Sequence, residues 1–421
     1  MSEIQGLGYM RNLLAKKQGR VSLRYKHYEM KNRPRDLLLT ANTKVGFLNS
    51  MLGWIPKAVD SLADRLVFKG WKNDNFNLSQ IFQMNNPDIF FDSAIISALI
   101  GGCSFVYMGL DKEDFPRLKV IDGRDATGII DPVTNLLTEG YAVLERDPKT
   151  DVPVLEAYFL PDTTTYIRKG GDPETFLNPA GIPLLVPIIY RPDAKRPMGH
   201  SRISRASMSL LQGACRTVKR SEVSAEFYSF PQKYIIGLSQ EEDEAFEKWK
   251  ATMSTFLTIT KDEEGDSPTV GQFTQQNMTP FTEQLRTFAA LFAGENGLTL
   301  DDLGFVSDNP SSAEAIKASH ESLRLTARKA QRTFGSCFLN VGMVSACLRD
   351  NKAYRRQQFY LTEPMWEPIF EPDAAALSSI GDGAIKLNQA VPGYFNTDNL
   401  PDLTGIDPSQ LPAPVTEDAN G

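Results

Sequence analysis

The chain is short of the residues on which catalysis and metal binding most often draw. It holds three histidines, His27, His200 and His320, in 421 residues and no His-Glu-x-x-His string, so a histidine-based metal site is not expected. Its four cysteines, Cys103, Cys215, Cys337 and Cys347, stand far apart with no CxxC pair. That spacing suggests neither a zinc site nor a disulfide framework and fits a reducing cytoplasm. The glycine-rich string ending in Lys-Ser/Thr that cradles nucleotide phosphates is missing. So is any apolar run near 18 residues. The best stretch, Ile95 to Tyr107, is broken by Gly101 and Gly102, and no membrane partner is expected. The opening residues, Met1 to Gly8, lack the basic and apolar regions of a signal peptide. Positive charge is in deficit too. A net charge of -7 and a sequence pI near 5.3 argue against a surface that grips nucleic acid everywhere, while leaving loose, sliding contact open. No cofactor is expected.

What is present is enough apolar residue to build substantial cores. A length of 421 residues with 41% hydrophobic content is more natural for two or three domains than for one. The most informative segment runs from Asn309 to Ser319, where a Pro- and Ser-rich loop enters an amphipathic pattern that continues to Leu348. Ile316, His320, Leu323, Ala327, Ala330, Phe334, Cys337, Val341, Val344 and Leu348 recur at the three-and-four spacing that turns one side of a helix toward a neighbour. Arg324, Arg328, Lys329 and Arg332 occupy the opposite, solvated side. A helix from Ala313 to Leu348 would span roughly 54 Å, longer than an ordinary globular domain requires.

The rest of the chain reads in order. Gln5 to Asn32 is a basic amphipathic helix, carrying Arg11, Lys16, Lys17, Arg20, Arg24 and Lys26 on a solvated, salt-bridged face or a nucleic-acid contact. A second helix is expected over Phe47 to Val67, stopped by Gly70 and with Pro56 near its start. A helix beginning near Phe90 gives way to a strand at Ser104 to Met108. Strand patterns follow at 117–121, 127–130, 141–145, 155–159 and 165–168, with Asp-Gly, Asp-Pro, Pro-Asp and Gly-Gly turns between them, the mark of an antiparallel meander. A doubly wound nucleotide-binding fold is disfavoured. After a strand at Leu184 to Tyr190 come a helix from Ser201 to Tyr228, a strand at 233–236, an acidic helix from Glu241 to Met253, strands at 256–260 and 269–273, and a helix from Pro280 to Ala293. Beyond Asp350 the chain resumes from Tyr354 to Pro364, followed by a helix from Asp373 to Ala390 and a Pro- and Asp-rich tail from Pro392 to Gly421 with too little apolar periodicity for a core of its own.

Two catalytic patterns can be weighed. Gly199-His200-Ser201 matches the first half of a nucleophile elbow, but Ile203 stands where the closing glycine belongs and no histidine lies near the C-terminal end. Ser201 reads instead as the N-cap of the following helix. Asp122, Asp125 and Asp131 could hold Mg²⁺ in a nuclease or other hydrolase. Asp-Gly and Asp-Pro pairs are also what meander turns require for backbone reasons alone.

The chain order, together with Trp54-Ile-Pro-Lys-Ala-Val-Asp60, Ala63-Asp-Arg-Leu66, Lys69-Gly70, Arg196-Pro-Met-Gly-His-Ser-Arg-Ile203, Phe230-Pro-Gln232 and Ser311-Ser-Ala-Glu-Ala-Ile-Lys317, resembles the portal proteins of tailed bacteriophages, in particular the siphovirus type. The resemblance runs roughly from residue 5 to 395. It implies an α+β, non-enzymatic subunit that assembles as a ring, typically a homododecamer, at one capsid vertex of the virion. Double-stranded DNA would enter through it, driven by the terminase large subunit, and later leave toward a head-tail adaptor, with the major capsid protein and scaffold as further partners. The implied layout is a mixed α/β wing over 1–200, stem helix 1 over 201–228, a small α/β clip over 229–279, stem helix 2 over 280–293 and a tunnel loop over 294–312. A long wing helix over 313–349, a C-terminal wing or reduced crown over 350–391 and the tail over 392–421 complete it. Asp301, Asp302, Asp308, Asn309, Ser311, Ser312 and Lys317 would stand near DNA. Glu241, Glu242, Asp243, Glu244, Asp262, Glu263 and Glu264 would face clip partners. Arg202, Arg205, Arg216, Lys219 and Arg220 would meet acidic neighbours between subunits. Twelve chains of net charge -7 would sum to about -84, a balance that lets a polyanion pass without being held. The alternatives are a metal-dependent nuclease or hydrolase, or another head-tail connector component.

Overall fold

The computed structural model describes residues 4–33, 50–229, 233–236, 269–272, 277–305, 318–370, 374–396 and 399–400. The chain divides into two compact units, the first made of Met1–Glu29, Pro56–Ser204 and Ser311–Gly421, the second of Met30–Ile55 and Arg205–Pro310.

The chain opens with α1 (Leu7–Tyr28) and, after 34–49, which lie outside the described residues, α2 (Trp54–Ala63). The expected helix over Phe47 to Val67 is thus shorter, and Pro56 sits in its first turn, where a missing amide costs nothing. The next elements are β1 (Phe68–Lys72), α3 (Leu78–Gln83) and α4 (Pro87–Gly101). Asp74 fixes the start of α3 by accepting the amides of Leu78 and Ser79 at 2.7 and 2.8 Å. Neither β1 nor α3 was expected, because Gly70 breaks the alternation of the one and six residues are too few to show a helical period.

Strands follow as β2 (Cys103–Leu110), β3 (Pro116–Ile121), β4 (Ala126–Ile130), β5 (Leu137–Arg146), β6 (Pro153–Phe159), β7 (Thr163–Arg168), β8 (Glu174–Leu177) and β9 (Leu185–Ile189). The expected single meander is two antiparallel sheets: a five-stranded one in order β4-β5-β6-β7-β8 and a three-stranded one in order β3-β2-β9. Pro187 is tolerated in β9 because that strand is an edge. The hairpin turns share one chemistry. Asp131-Pro-Val-Thr-Asn135 and Asp147-Pro-Lys-Thr-Asp151 each end in a residue at positive φ whose amide returns to the leading aspartate's carbonyl at 2.9 Å. Each leading carboxylate also accepts the amide two residues on, at 3.0 and 2.8 Å. These amide bonds hold both carboxylates below the usual range.

The core of the first unit gathers on α7 (Glu321–Arg349). Every residue expected on its packing stripe from Leu323 to Leu348 is buried. The described helix has 29 residues, about 44 Å; residues 318–319 are also helical, ahead of a turn at His320, and 306–317, where the expected helix begins, lie outside the described residues. From Val341 to Leu348 it is buried on all sides, down to Ser345, whose hydroxyl lies 3.3 Å from the Met108 sulfur. It contacts β9, β2, α3 and β12 (Glu363–Trp366). Around Phe338 stand Phe91 at 4.7 Å, Phe68 at 5.6 Å, Phe90 at 6.2 Å and Trp366 at 6.3 Å, edge-on and tilted contacts favoured by ring quadrupoles. Pairing of β1 with β12 joins Phe68 to Trp366, so the two ends of the unit close over one aromatic cluster. The chain's last described helix is α8 (Ala374–Ala390), with Asn388 bonding both the amide and the carbonyl of Phe395.

Helix α1 docks on β4, β5 and α4. The buried Glu139 carboxylate on β5 accepts the Gln5 and Gly6 amides and the Tyr158 hydroxyl, the last at 2.8 Å. Arg11 pairs with Glu156. Its basic face is therefore not simply solvated: Lys17 lies 4.8 Å over the Phe105 ring, where burial lowers its pKa, and Arg24 donates to the Gly101 carbonyl at 2.7 Å.

In the second unit, α5 (Arg205–Ser229) and α6 (Thr279–Asn296) pack along one another. Ser207 bonds Asn296 at 3.1 Å, the Phe288 ring faces Gly213, and Thr217 donates to Gln284 at 3.0 Å. Partner numbers fall as α5 numbers rise, so the helices are antiparallel. Between them in the chain, β10 (Lys233–Ile236) pairs antiparallel with β11 (Thr269–Gln272).

Candidate functional site

The polar groups singled out in the sequence divide by what they hold. Segment 199–203 threads between the end of β9 and the end of α4. Gly199 has φ +75° and a Cβ there would stand 2.2 Å from the Tyr190 oxygen, so only glycine fits. The His200 amide donates to Tyr190 at 2.9 Å and the Arg202 amide to Leu99 at 2.8 Å. The Ser201 hydroxyl donates to the Ile100 carbonyl at 2.6 Å and accepts from the Ile203 amide at 2.9 Å. Helix α5 starts at Arg205, so Ser201 is not its N-cap: it satisfies the open carbonyl end of α4. The hydroxyl is thereby committed to the backbone. His200 bonds the Arg191 carbonyl at 3.0 Å and approaches Asp193 at 3.4 Å, and His27 is buried against the Leu23 carbonyl at 3.0 Å.

The aspartates weighed as a metal site are likewise engaged. Asp125 accepts both Arg146 guanidinium contacts, at 2.9 and 2.6 Å. Asp131 holds its turn. Asp122, raised in pKa by burial, accepts the Arg124 amide. Among the described residues no three His, Cys, Asp or Glu side chains are grouped to hold a metal ion, and no helix is long and apolar enough to cross a membrane.

Of the residues expected between subunits, Arg205 is exposed at the start of α5, and Arg216, Lys219 and Arg220 are half-buried further along it. Arg202 precedes the helix, belongs to the first unit, is 7% exposed and donates to the Ala58 carbonyl at 3.3 Å. Of the residues expected near DNA, Asp301 and Asp302 lie on a 3-10 turn (Asp301–Leu303). Asp302 accepts the Thr299 amide and hydroxyl, both at 2.9 Å, so its carboxylate closes the turn after α6. The expected loop start at Gly294 shifts, because α6 runs to Asn296 and ends on Gly297 in the left-handed region. Asp308, Asn309, Ser311, Ser312 and Lys317 lie outside the described residues, as do Glu241, Glu242, Asp243, Glu244, Asp262, Glu263 and Glu264 and the expected helix and strand at 241–260.

One cluster was not recognised as a site in the sequence. On α7 the side chains of Lys329, Arg332, Thr333, Ser336 and Asn340 line a cavity of 410 Å³ against Asn135 and Pro192. The basic residues show as a helical face in one dimension, but the loops that close the cavity are far away in sequence.

The polar groups weighed above as catalytic or metal-binding are engaged in turns, helix ends and strand closure. The class of protein comes from comparison with known proteins. The family described as phage portal protein, SPP1 Gp6-like, matches residues 25–357. The portal protein of Mycobacterium phage L5 is 25% identical over 338 residues, 74% of this chain and 68% of that one. The portal protein of Mycobacterium phage D29 is 25% identical over 337 residues, with the same coverage. A chain in the neck of an empty gene transfer agent (GTA) particle, computed with C6 symmetry, superposes with a TM-score of 0.48 at 16% identity, over 90% of this chain and 98% of that one. The chain belongs to the phage portal protein family. Portal proteins are structural components of the virion, at the connection of head and tail.

Proposed function

We propose that copies of this chain close into a ring of twelve, a passive conduit for double-stranded DNA. The terminase large subunit drives DNA inward, and a head-tail adaptor receives it on exit. Major capsid protein and scaffold are the remaining partners. The observation that carries this reading is the family match over residues 25–357, which takes in residues of both units.

The second unit supports the assignment of its parts. An antiparallel helix pair with a paired two-stranded excursion between its members suits two stem helices and a clip, and the turn after α6 suits the start of a tunnel loop. Asp301 is exposed there, and a carboxylate near passing phosphates repels them and does not retain them. The half-exposed guanidinium groups of Arg216 and Arg220, one helical turn apart, repel each other within a chain. Acidic groups of a neighbouring subunit would relieve that repulsion. Residues 350–391 would complete the wing or form a reduced crown.

Negative-stain images of the purified full-length chain test the ring. Annular particles with a central hole are expected, and a monomer at high concentration would count against the proposal. Replacing Arg216 and Arg220 by Glu should cut the ring fraction in native mass measurement. An unchanged ring population would remove the α5 face from the interface.

A further inference from the structure

The exposed side of α7 carries Arg328, Lys329 and Arg332 within two turns. Arg324, one turn earlier, is neutralised by Glu321 at 2.7 Å. The other three have no carboxylate partner among the described residues. Like charges three and four residues apart destabilise a helix, so this triplet opposes folding and gains nothing inside the chain. Beside it lies the 410 Å³ cavity, whose lining holds Lys329, Arg332, Thr333, Ser336 and Asn340 and no carboxylate. In a chain with 52 acidic and 45 basic residues, a hollow whose only charged lining groups are two cations, set among neutral polar side chains and the apolar Ile189, Pro192 and Cys337, is a local inversion of the overall charge. Arg356 donates to Asn340 at 3.1 Å, which adds a further cation at the far end.

We propose that this groove binds the phosphodiester backbone of DNA. Cations at 328, 329 and 332 followed by Thr333, Ser336 and Asn340 make a stripe of about 18 Å along the helix, roughly five base-pair rises of duplex. Contact through these long, exposed side chains is assigned to the phosphates, which supply the sequence-independent part of nucleic-acid affinity. These residues are separate from those assigned above to the tunnel loop. The choice of DNA as the polyanion rests on the portal reading, whereas the anion-binding character rests on the groove alone.

The test uses the full-length chain and a fluorescent 20-base-pair duplex, with anisotropy read from 50 to 200 mM NaCl. Each phosphate contact contributes about 0.9 to the slope of log affinity against log salt. The combined variant Arg328→Gln, Lys329→Gln, Arg332→Gln is expected to lower the slope by about 2.7 and to weaken binding at least tenfold at low salt. Lys329→Gln alone should lower it by about 0.9. Arg324→Gln, the same charge change at the paired position, should leave the slope unaltered. The melting temperature should hold or rise, because like-charge repulsion is removed, and a folding defect would show as a fall. The proposal is overturned if the wild-type chain does not bind the duplex, if the variant keeps the wild-type slope, or if Arg324→Gln weakens binding equally. It is also overturned if the triple variant keeps its DNA slope and loses only ring assembly, since the cations would then meet carboxylates of a second copy. Annular particles in the same preparations leave the portal reading standing whichever way the DNA result falls.

Discussion

Helices α5 and α7 are similar in length, 25 and 29 residues, and both carry arginines on an exposed face, yet they are held in place by different physics. Helix α7 is anchored by apolar mass: Phe334 and Phe338 are fully buried, and Val341 to Leu348 are enclosed on every side. Helices α5 and α6 also bury Leu211, Ala214, Cys215, Ala289, Phe292 and Ala293, but add to that a glycine under an aromatic ring and short polar pairs, Ser207 with Asn296 and Thr217 with Gln284, that fix their register. Burial supplies the larger energy, because each enclosed side chain contributes transfer free energy and close packing together. Buried hydrogen bonds contribute little net stability but penalise every wrong register, which would leave the groups unpaired. The first arrangement resists unfolding. The second specifies alignment.

That contrast can be broken at its strong end first. Phe338→Ala should destabilise the first unit by about 3–5 kcal/mol, since the cluster of Phe91, Phe90, Phe68 and Trp366 cannot collapse into the space from four directions. Denaturant melts followed by tryptophan fluorescence would read it, and a loss under 1 kcal/mol would mean that α7 is not the keystone described. A smaller effect is expected for Gly213→Val. A Cβ at Gly213 would already stand 2.8 Å from the Phe288 ring, so the larger side chain should push the helices apart at a cost of about 1–3 kcal/mol, read as a lower melting midpoint. Retention of the wild-type midpoint would show that the pair has slack.

The smallest effect sharpens the comparison through pH, because raised tyrosines belong to the first unit. Tyr28 is pushed up to about 12, first by burial and then by its bond to Asp60 at 2.8 Å. Tyr141, Tyr158 and Tyr166 are raised as well, burial leading in each case. A folded-state pKa above the unfolded value, about 10, means that the stabilisation is complete below pH 10 and is lost as pH rises toward and through the folded values. The melting temperature should therefore fall between pH 10 and 12. Tyr28→Phe should flatten that fall, and an identical pH profile for wild type and variant would remove Tyr28 from the effect.

Legibility in the sequence followed the length of the signal. The buried stripe of α7, the pairing segments from Ser104 to Arg168 and the helix ending at Ala390 could be read because period and turn chemistry repeat over many residues. Helix α3 and strands β1, β8 and β12 have four to six residues each, too few for a period to emerge. The family resemblance was legible in short strings, and the structure shows why one of them has its form. Arg196 to Ile203 contains the glycine and serine that let the chain pass between Tyr190 and the end of α4. The same string misled on one role: Ser201 caps α4 and not α5.

The sequence by itself determined the longer helices and the main strand segments, that the chain is acidic with an unusual run of cations on one long helix, and that its order of elements is that of the phage portal family. These follow from local steric preference, periodicity and charge, which need no knowledge of distant partners. Only the tertiary structure decided that the strands part into two sheets, that β1 meets β12 across the chain, and that loops at Asn135 and Pro192 close a carboxylate-free hollow over Lys329 and Arg332. Those are contacts between residues remote in sequence, chosen by the packing of the whole core, and no local pattern encodes them.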